Sequence, residues 1–170
     1  MGKEVYSFED FLQDVAAEYK GFVSQVQELL ITAGYIIKIE KKASGFFVSY
    51  ADALSKKSML NFLFRKTGLY IRLYATNCDK YADVLNQLPD EIVKQITKAK
   101  NCDALAVPMA DGAKCICNPR NPKQSKGYDF FINGVHYQKC RSSCFYLHVD
   151  SLALPFLMKL IENENKCRMA

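Results

Sequence analysis

The sequence predicts an α+β protein, with a long N-terminal helix packed on an antiparallel meander, further helices, and a C-terminal β-hairpin that bears cysteines. Three observations predict it. Apolar residues recur at three- and four-residue steps from Phe8 to Leu30, the period of an amphipathic helix. Four short segments rich in aromatic and β-branched residues follow between Tyr35 and Tyr74, joined by connections that favour antiparallel neighbours. An Asn133-Gly134 pair then separates two alternating segments, the sequence form of a type I′ hairpin.

The elements follow in order. Ser7 before Phe8-Glu9-Asp10 supplies a hydroxyl cap with acids in the first turn, a helix start. Phe8, Phe11, Leu12, Val15, Tyr19, Phe22, Val23, Val26, Leu29 and Leu30 form the apolar stripe, and Gly34 ends it. The polar face lacks the basic richness of a membrane-surface helix, so the stripe is expected to pack on a sheet. Strands are expected over Tyr35–Glu40, Gly45–Tyr50, Met59–Arg65 and Leu69–Tyr74, with Lys66-Thr67-Gly68 as a turn. Asp79 is expected to cap a helix over Lys80–Gln87. Pro89-Asp90-Glu91 opens another, running to about Lys98. Residues 101–127 hold three of the five prolines and read as irregular. Tyr128–Ile132 and Val135–Lys139 make the hairpin, Phe145–Val149 a further strand, and Pro155–Glu164 the closing helix. No internal repeat or linker interrupts the chain. One domain, 1–170, is expected: a helix-plus-meander core over 1–100, the cysteine-rich hairpin segment over 101–150, and a closing helix and tail over 151–170.

Composition narrows the function. With 170 residues, 49 % hydrophobic and 24 % charged, the chain buries a core of its own and is not disordered as a whole. It has no run of 18 apolar residues, so no membrane span is expected. Met1-Gly2-Lys3-Glu4-Val5 lacks the apolar stretch of an export signal, which makes the cytoplasm the expected compartment. There the seven cysteines are expected to be reduced, metal-bound or redox-active rather than a disulfide framework. The net charge is +5, and +4 of it lies between Asp111 and Phe145. Arg120, Lys123, Lys126, Lys139 and Arg141 are therefore candidate contacts to an anionic partner, a nucleic acid or another polyanion. The competing reading is a solvated loop whose lysines maintain solubility.

Five cysteines fall in that stretch or at its edge: Cys102, Cys115, Cys117, Cys140 and Cys144, spaced Cys-x12-Cys-x-Cys-x22-Cys-x3-Cys. Pairing Ile132 with Val135 across the turn brings Gly127 opposite Cys140. The loop Asn118–Lys126 then folds back to place Cys117 near Cys140 and Cys144. Four thiolates on two knuckles suit a closed tetrahedral zinc site, and a loop poor in apolar residues gains from such a restraint. Cys117, Cys140 and Cys144 are the first three ligands, with Cys102 or Cys115 completing the set. A zinc saturated by thiolates is structural rather than catalytic. Two other readings compete: small buried hydrophobes, or a reversible disulfide, Cys115–Cys117 or Cys140–Cys144, activated by Lys114, Lys139 and Arg141. His136 and His148 each stand four residues from a cysteine and are alternative ligands, though a strand-face histidine is by default a surface polar group. Cys78 and Cys167 receive no role.

Sequence forms of common enzymes are missing. There is no Gly-x-Ser-x-Gly, phosphate-cradling glycine loop, Gly-x-Gly-x-x-Gly or His-Glu-x-x-His. An enzyme is the minority reading. The aromatics Phe46, Phe47, Tyr50, Phe62, Phe64, Tyr70 and Tyr74 leave room for a small-ligand site on one sheet face.

The order of helix, meander and helices, with the stretch KKSMLNFLFRKTGLYIRLY over Lys56–Tyr74, resembles the small bacterial domains called YdhG-like and MmcQ/YjbR-like over about residues 35–100. The tail CNPRNPKQSKGYDFFINGVHYQKCRSSCFYL resembles that of uncharacterised bacterial proteins. The likeness implies a fold and carries over no residue role. The cysteine-rich segment departs from those domains.

Overall fold

A computed structural model of the chain describes residues 4–102, 105 and 127–170. The fold is α+β. An antiparallel meander opens a five-stranded sheet, and a separate two-stranded sheet holds the hairpin. The chain gathers into two compact units: Met1–Tyr74 with Leu147–Ala170, and Ala75–Tyr146. The first unit is discontinuous because the strand that follows the hairpin returns to the first sheet beside the meander's last strand.

The first unit starts with α1, Phe8–Asp14. Ser7 and Asp10 cap it reciprocally, Asp10 N–H donating to Ser7 Oγ at 3.2 Å and Ser7 N–H to Asp10 Oδ2 at 2.7 Å. The single helix expected from Phe8 to Leu30 is instead broken. Val15 and Ala16 are extended (ψ 134° and 141°), and a 3-10 turn, Ala17–Tyr19, leads into α2, Lys20–Thr32. The break divides the apolar stripe. Phe11, fully buried, meets the rings of Phe46, Phe62 and Phe64 at 6.3, 5.6 and 6.0 Å. Val23, Val26 and Leu30 are buried along α2, whose Gln27 accepts from Tyr50 Oη.

Strands β1 (Tyr35–Lys42), β2 (Gly45–Asp52), β3 (Ser58–Arg65) and β4 (Gly68–Leu73) form the meander. Register sorts the side chains into rows. Ile39, Val48, Phe62 and Ile71 align across the four strands, as do Ile37, Tyr50, Leu60 and Leu73, and these rows share one face of the pleat. On the opposite face run Lys38, Ser49, Asn61 and Arg72, beside Glu40, Phe47, Leu63 and Tyr70. The sheet closes far along the chain with β7, Tyr146–His148, next to β4.

The last helix, α5, spans Leu154–Met169 and buries Leu157, Leu160, Ile161 and Glu164. It runs past the expected end at Glu164 because its last turn is fastened to the sheet. Arg168 Nε donates to Glu164 Oε1 at 2.9 Å, Nη1 to the Ser58 carbonyl at 2.9 Å, and Nη2 to the Tyr74 carbonyl at 2.6 Å. Glu164 is fully buried, so the guanidinium neutralises a carboxylate that water cannot reach.

In the second unit, the helix expected over Lys80–Gln87 is replaced by a 3-10 turn, Cys78–Tyr81, and a single α turn, α3, Ala82–Leu85. Tyr81, at φ −126° and ψ 46°, interrupts helical geometry between them. These tight turns bury Cys78, Tyr81 and Leu85 together. Helix α4, Asp90–Thr97, has extended Pro89 as its cap and buries Ile92 and Ile96. The hairpin forms in the expected register, β5 (Tyr128–Ile132) with β6 (Val135–Lys139). Asn133 and Gly134, at φ 49° and 78°, make its type I′ turn. No helix among the described residues is long and apolar enough to cross a membrane.

The Arg168 clamp yields a stability prediction. Arg168→Ala should cost about 3–5 kcal/mol, since it strands a buried carboxylate, and Arg168→Lys should recover only part of that because an ammonium lacks the planar fork. Denaturant unfolding of the three proteins measures it.

Candidate metal centre at the hairpin base

Alternation along β5 turns Tyr128, Phe130 and Ile132 inward and leaves Asp129 and Phe131 exposed. The inward rings meet Phe145, fully buried, at 5.6 Å from both Tyr128 and Phe130. Phe145 holds φ 57°, a conformation costly for a bulky side chain. Ring packing fixes it there, and the chain reverses at this residue toward β7.

Three of the five clustered cysteines lie among the described residues, all at the base of this hairpin. Asn101 bridges to Lys139, and the flanking bonds run from Cys102 N–H to the Gln138 carbonyl at 2.8 Å and from Cys140 N–H to the Lys100 carbonyl at 2.6 Å. Cys102 and Cys140 therefore flank one backbone bridge. Gly127, where the described chain resumes, packs directly on Cys102. A Cβ on Gly127 would stand 2.6 Å from Cys102 Sγ and 3.0 Å from Leu105 Cδ1. The segment carrying Cys115 and Cys117 thus leaves and returns at Cys102. Cys115, Cys117, Arg120, Lys123 and Lys126 themselves lie outside the described residues.

The two thiols of the Cys-x3-Cys pair have different surroundings. Cys140 is partly exposed and its Sγ lies 3.0 Å from Ser142 Oγ. One tight turn later, closed by Cys144 N–H donating to the Cys140 carbonyl at 3.2 Å, Cys144 is fully buried. Its Sγ donates to the Ile96 carbonyl at 3.7 Å. Burial pushes the Cys144 thiol up to about 12, against the smaller opposing pull of the Phe145 backbone and the Lys139 charge. Cys144 thus serves as a hydrogen-bond donor within the core.

The remaining candidates are engaged locally. Lys139 is buried and donates from Nζ to Asn101 Oδ1 at 2.9 Å, with the Tyr137 ring at 5.8 Å. His136 Nε2 lies 2.6 Å from Asp129 Oδ1, and its ring stacks on Phe131 at 4.5 Å. Gln138 donates to the other Asp129 oxygen at 3.0 Å, and these two bonds, Gln138's first, hold the Asp129 carboxyl below its ordinary range. His148 belongs to the first unit, where Nε2 lies 2.9 Å from the Thr67 carbonyl and the ring meets Tyr70 at 4.9 Å. Among the described residues no group of three or more Cys, His, Asp and Glu stands close enough to hold a metal ion unaided.

The aromatic sheet face sorts by register. Phe46, Tyr50 and Phe62 belong to the face that receives Phe11, and Phe47 and Tyr70 to the other. Sequence reasoning passed over Asn61. It is 4 % exposed, donates Nδ2 to Tyr74 Oη at 3.2 Å, and its Oδ1 finds no donor among the described residues. A lone Asn inside an otherwise apolar strand, Met59–Phe64, was the available signal.

No protein-family model, curated protein or solved structure matches the chain.

Cys144 gives a testable asymmetry. With limiting alkylating reagent at mildly alkaline pH and chelator present, Cys140 should react well before Cys144, read by peptide mass spectrometry. Because the folded state holds the Cys144 proton beyond the ordinary thiol value of about 8.5, its contribution is intact below that pH and is lost as pH rises toward about 12. The stability difference between the native chain and Cys144→Ala should therefore shrink with pH above 8.5, by at most about 1.4 kcal/mol per unit.

Proposed function

We propose that this protein is a binding module whose second unit is organised by a structural zinc ion at the hairpin base, with the neighbouring basic segment facing an anionic partner. One observation carries the reading: Cys102 and Cys140 flank a single backbone bridge, and the segment bearing Cys115 and Cys117 begins and ends beside Cys102. Those four thiols complete a tetrahedral set. Cys144, fully buried with its Sγ donating to the Ile96 carbonyl, is left outside the set. The five-cysteine cluster thereby divides into four ligands and one packing residue.

The same geometry narrows the anion-facing residues. Lys139 is committed to Asn101 within the fold, which leaves Arg120, Lys123, Lys126 and Arg141 as the contacts to a nucleic acid or another polyanion. A four-thiolate zinc has no open coordination position, so its role is to restrain the chain and the partner is bound, not transformed. A thiol switch built on Cys140 and Cys144 is the weaker reading, because a thiol raised to about 12 is a poor nucleophile and a poor leaving group near neutrality.

Elemental analysis of protein purified without chelator tests the metal. About one zinc per chain is expected. Cys102→Ser and Cys140→Ser should each release most of it, whereas Cys144→Ala should retain it. Metal below about a tenth of an equivalent in the native protein would sink the zinc reading. For the partner, affinity for a nucleic acid should fall steeply with salt, and less steeply after Lys123→Gln with Lys126→Gln. Salt-independent binding would remove the polyanion.

A further inference from the structure

Strand β1 is a sheet edge eight residues long, Tyr35–Lys42, with β2 on one side and, among the described residues, no strand on the other. Lys42 and Gly45 close the two-residue turn Ala43–Ser44. Even-numbered residues of β1 therefore exchange backbone bonds with β2, and the N–H and C=O groups of Ile37, Ile39 and Lys41 point outward. That side opens on a groove of about 440 Å³ lined by Glu4–Phe8 and Ile37–Glu40.

Soluble proteins commonly blunt such an edge with outward lysines. Here two of them fold back over the sheet: Lys41 Nζ lies 4.9 Å from the Phe46 ring centre and Lys42 Nζ 4.8 Å from that of Phe47. The remaining charges flank Ile39 symmetrically. Lys38, Glu40 and Lys42 share one face, where Glu40 pairs with Lys38 at 3.0 Å and with Lys42 at 3.8 Å.

We propose that β1 pairs with β1 of a second copy of this chain, antiparallel about a two-fold axis at Ile39, joining two sheets edge to edge. Ile39 then exchanges both backbone bonds with the partner's Ile39, and Ile37 does so with the partner's Lys41. On the opposite face Lys38 stands directly across from the partner's Glu40, and Glu40 from the partner's Lys38. Centring the pairing on Lys38 or on Glu40 would instead set that charge against its own copy, which is destabilising. The sequence Lys-Ile-Glu is thus complementary to itself read backwards, the requirement of an isologous contact, and this selects a second copy over an unrelated strand. A contact built on one strand edge belongs to the smaller class of interfaces, under about 1,200 Å², so the dimer exchanges with monomer.

Sedimentation equilibrium of the full chain over a wide concentration range tests this. A monomer–dimer equilibrium is expected. Lys38→Glu and Glu40→Lys should each weaken it about tenfold, and the double swap K38E/E40K should restore it. Ile39→Pro removes an outward N–H without touching the bonds to β2 and should abolish the dimer, with circular dichroism reporting whether the fold is kept. If that variant unfolds, the charge swap decides alone. A chain monomeric throughout, a dimer indifferent to the single reversals, or a double swap that fails to restore it overturns the proposal.

Discussion

Arg168 ties three distant parts of the first unit together with one guanidinium. Its partners are a carboxylate one helical turn back, the carbonyl at the start of β3 and the carbonyl just beyond β4. Helix α5 is thereby fixed in rotation, which keeps Leu157, Leu160 and Ile161 buried together. An uncompensated charge at either Arg168 or Glu164 would be expensive in that setting, so the pair specifies where the helix sits more than it adds net stability. The start of β3 and the end of β4 are fastened by the same group.

Local chemistry made much of this fold legible. Short connections favour antiparallel neighbours, and an Asn-Gly turn fixes register, so the order of the four meander strands and the pairing of the Asn133-Gly134 hairpin were readable. The break at Val15–Ala16 was not, because the apolar stripe continues through it at helical spacing. What decides that break is the company of Phe11, three rings contributed by strands thirty and more residues away. The division at Ala75 was hidden for a similar reason. It depends on β7 pairing with β4 across more than seventy residues, and periodicity carries no information on long-range partners.

The cysteines show the limit more sharply. Spacing alone treats Cys140 and Cys144 as equivalent members of one knuckle. The tight turn between them points one toward solvent and the other beneath Ile96. Burial then pushes the Cys144 thiol up without any nearby charge being needed. Spacing along the chain had no means of telling which of these two thiols faces inward. The same held for Lys139, whose basic character suggested a partner outside the chain and whose hydrogen bond goes to Asn101.

Unit one is assembled from both sides of an insertion: Met1–Tyr74 on one side and Leu147–Ala170 on the other. A ribosome delivers the meander long before β7 and α5 emerge, so the first sheet waits with β4 uncovered while the second unit is being made. Order in that second unit draws its two ends together and reduces the loop-closure entropy that the first sheet must overcome to recruit β7. Anything that tightens the hairpin unit then also eases completion of the other. The connection is the chain itself.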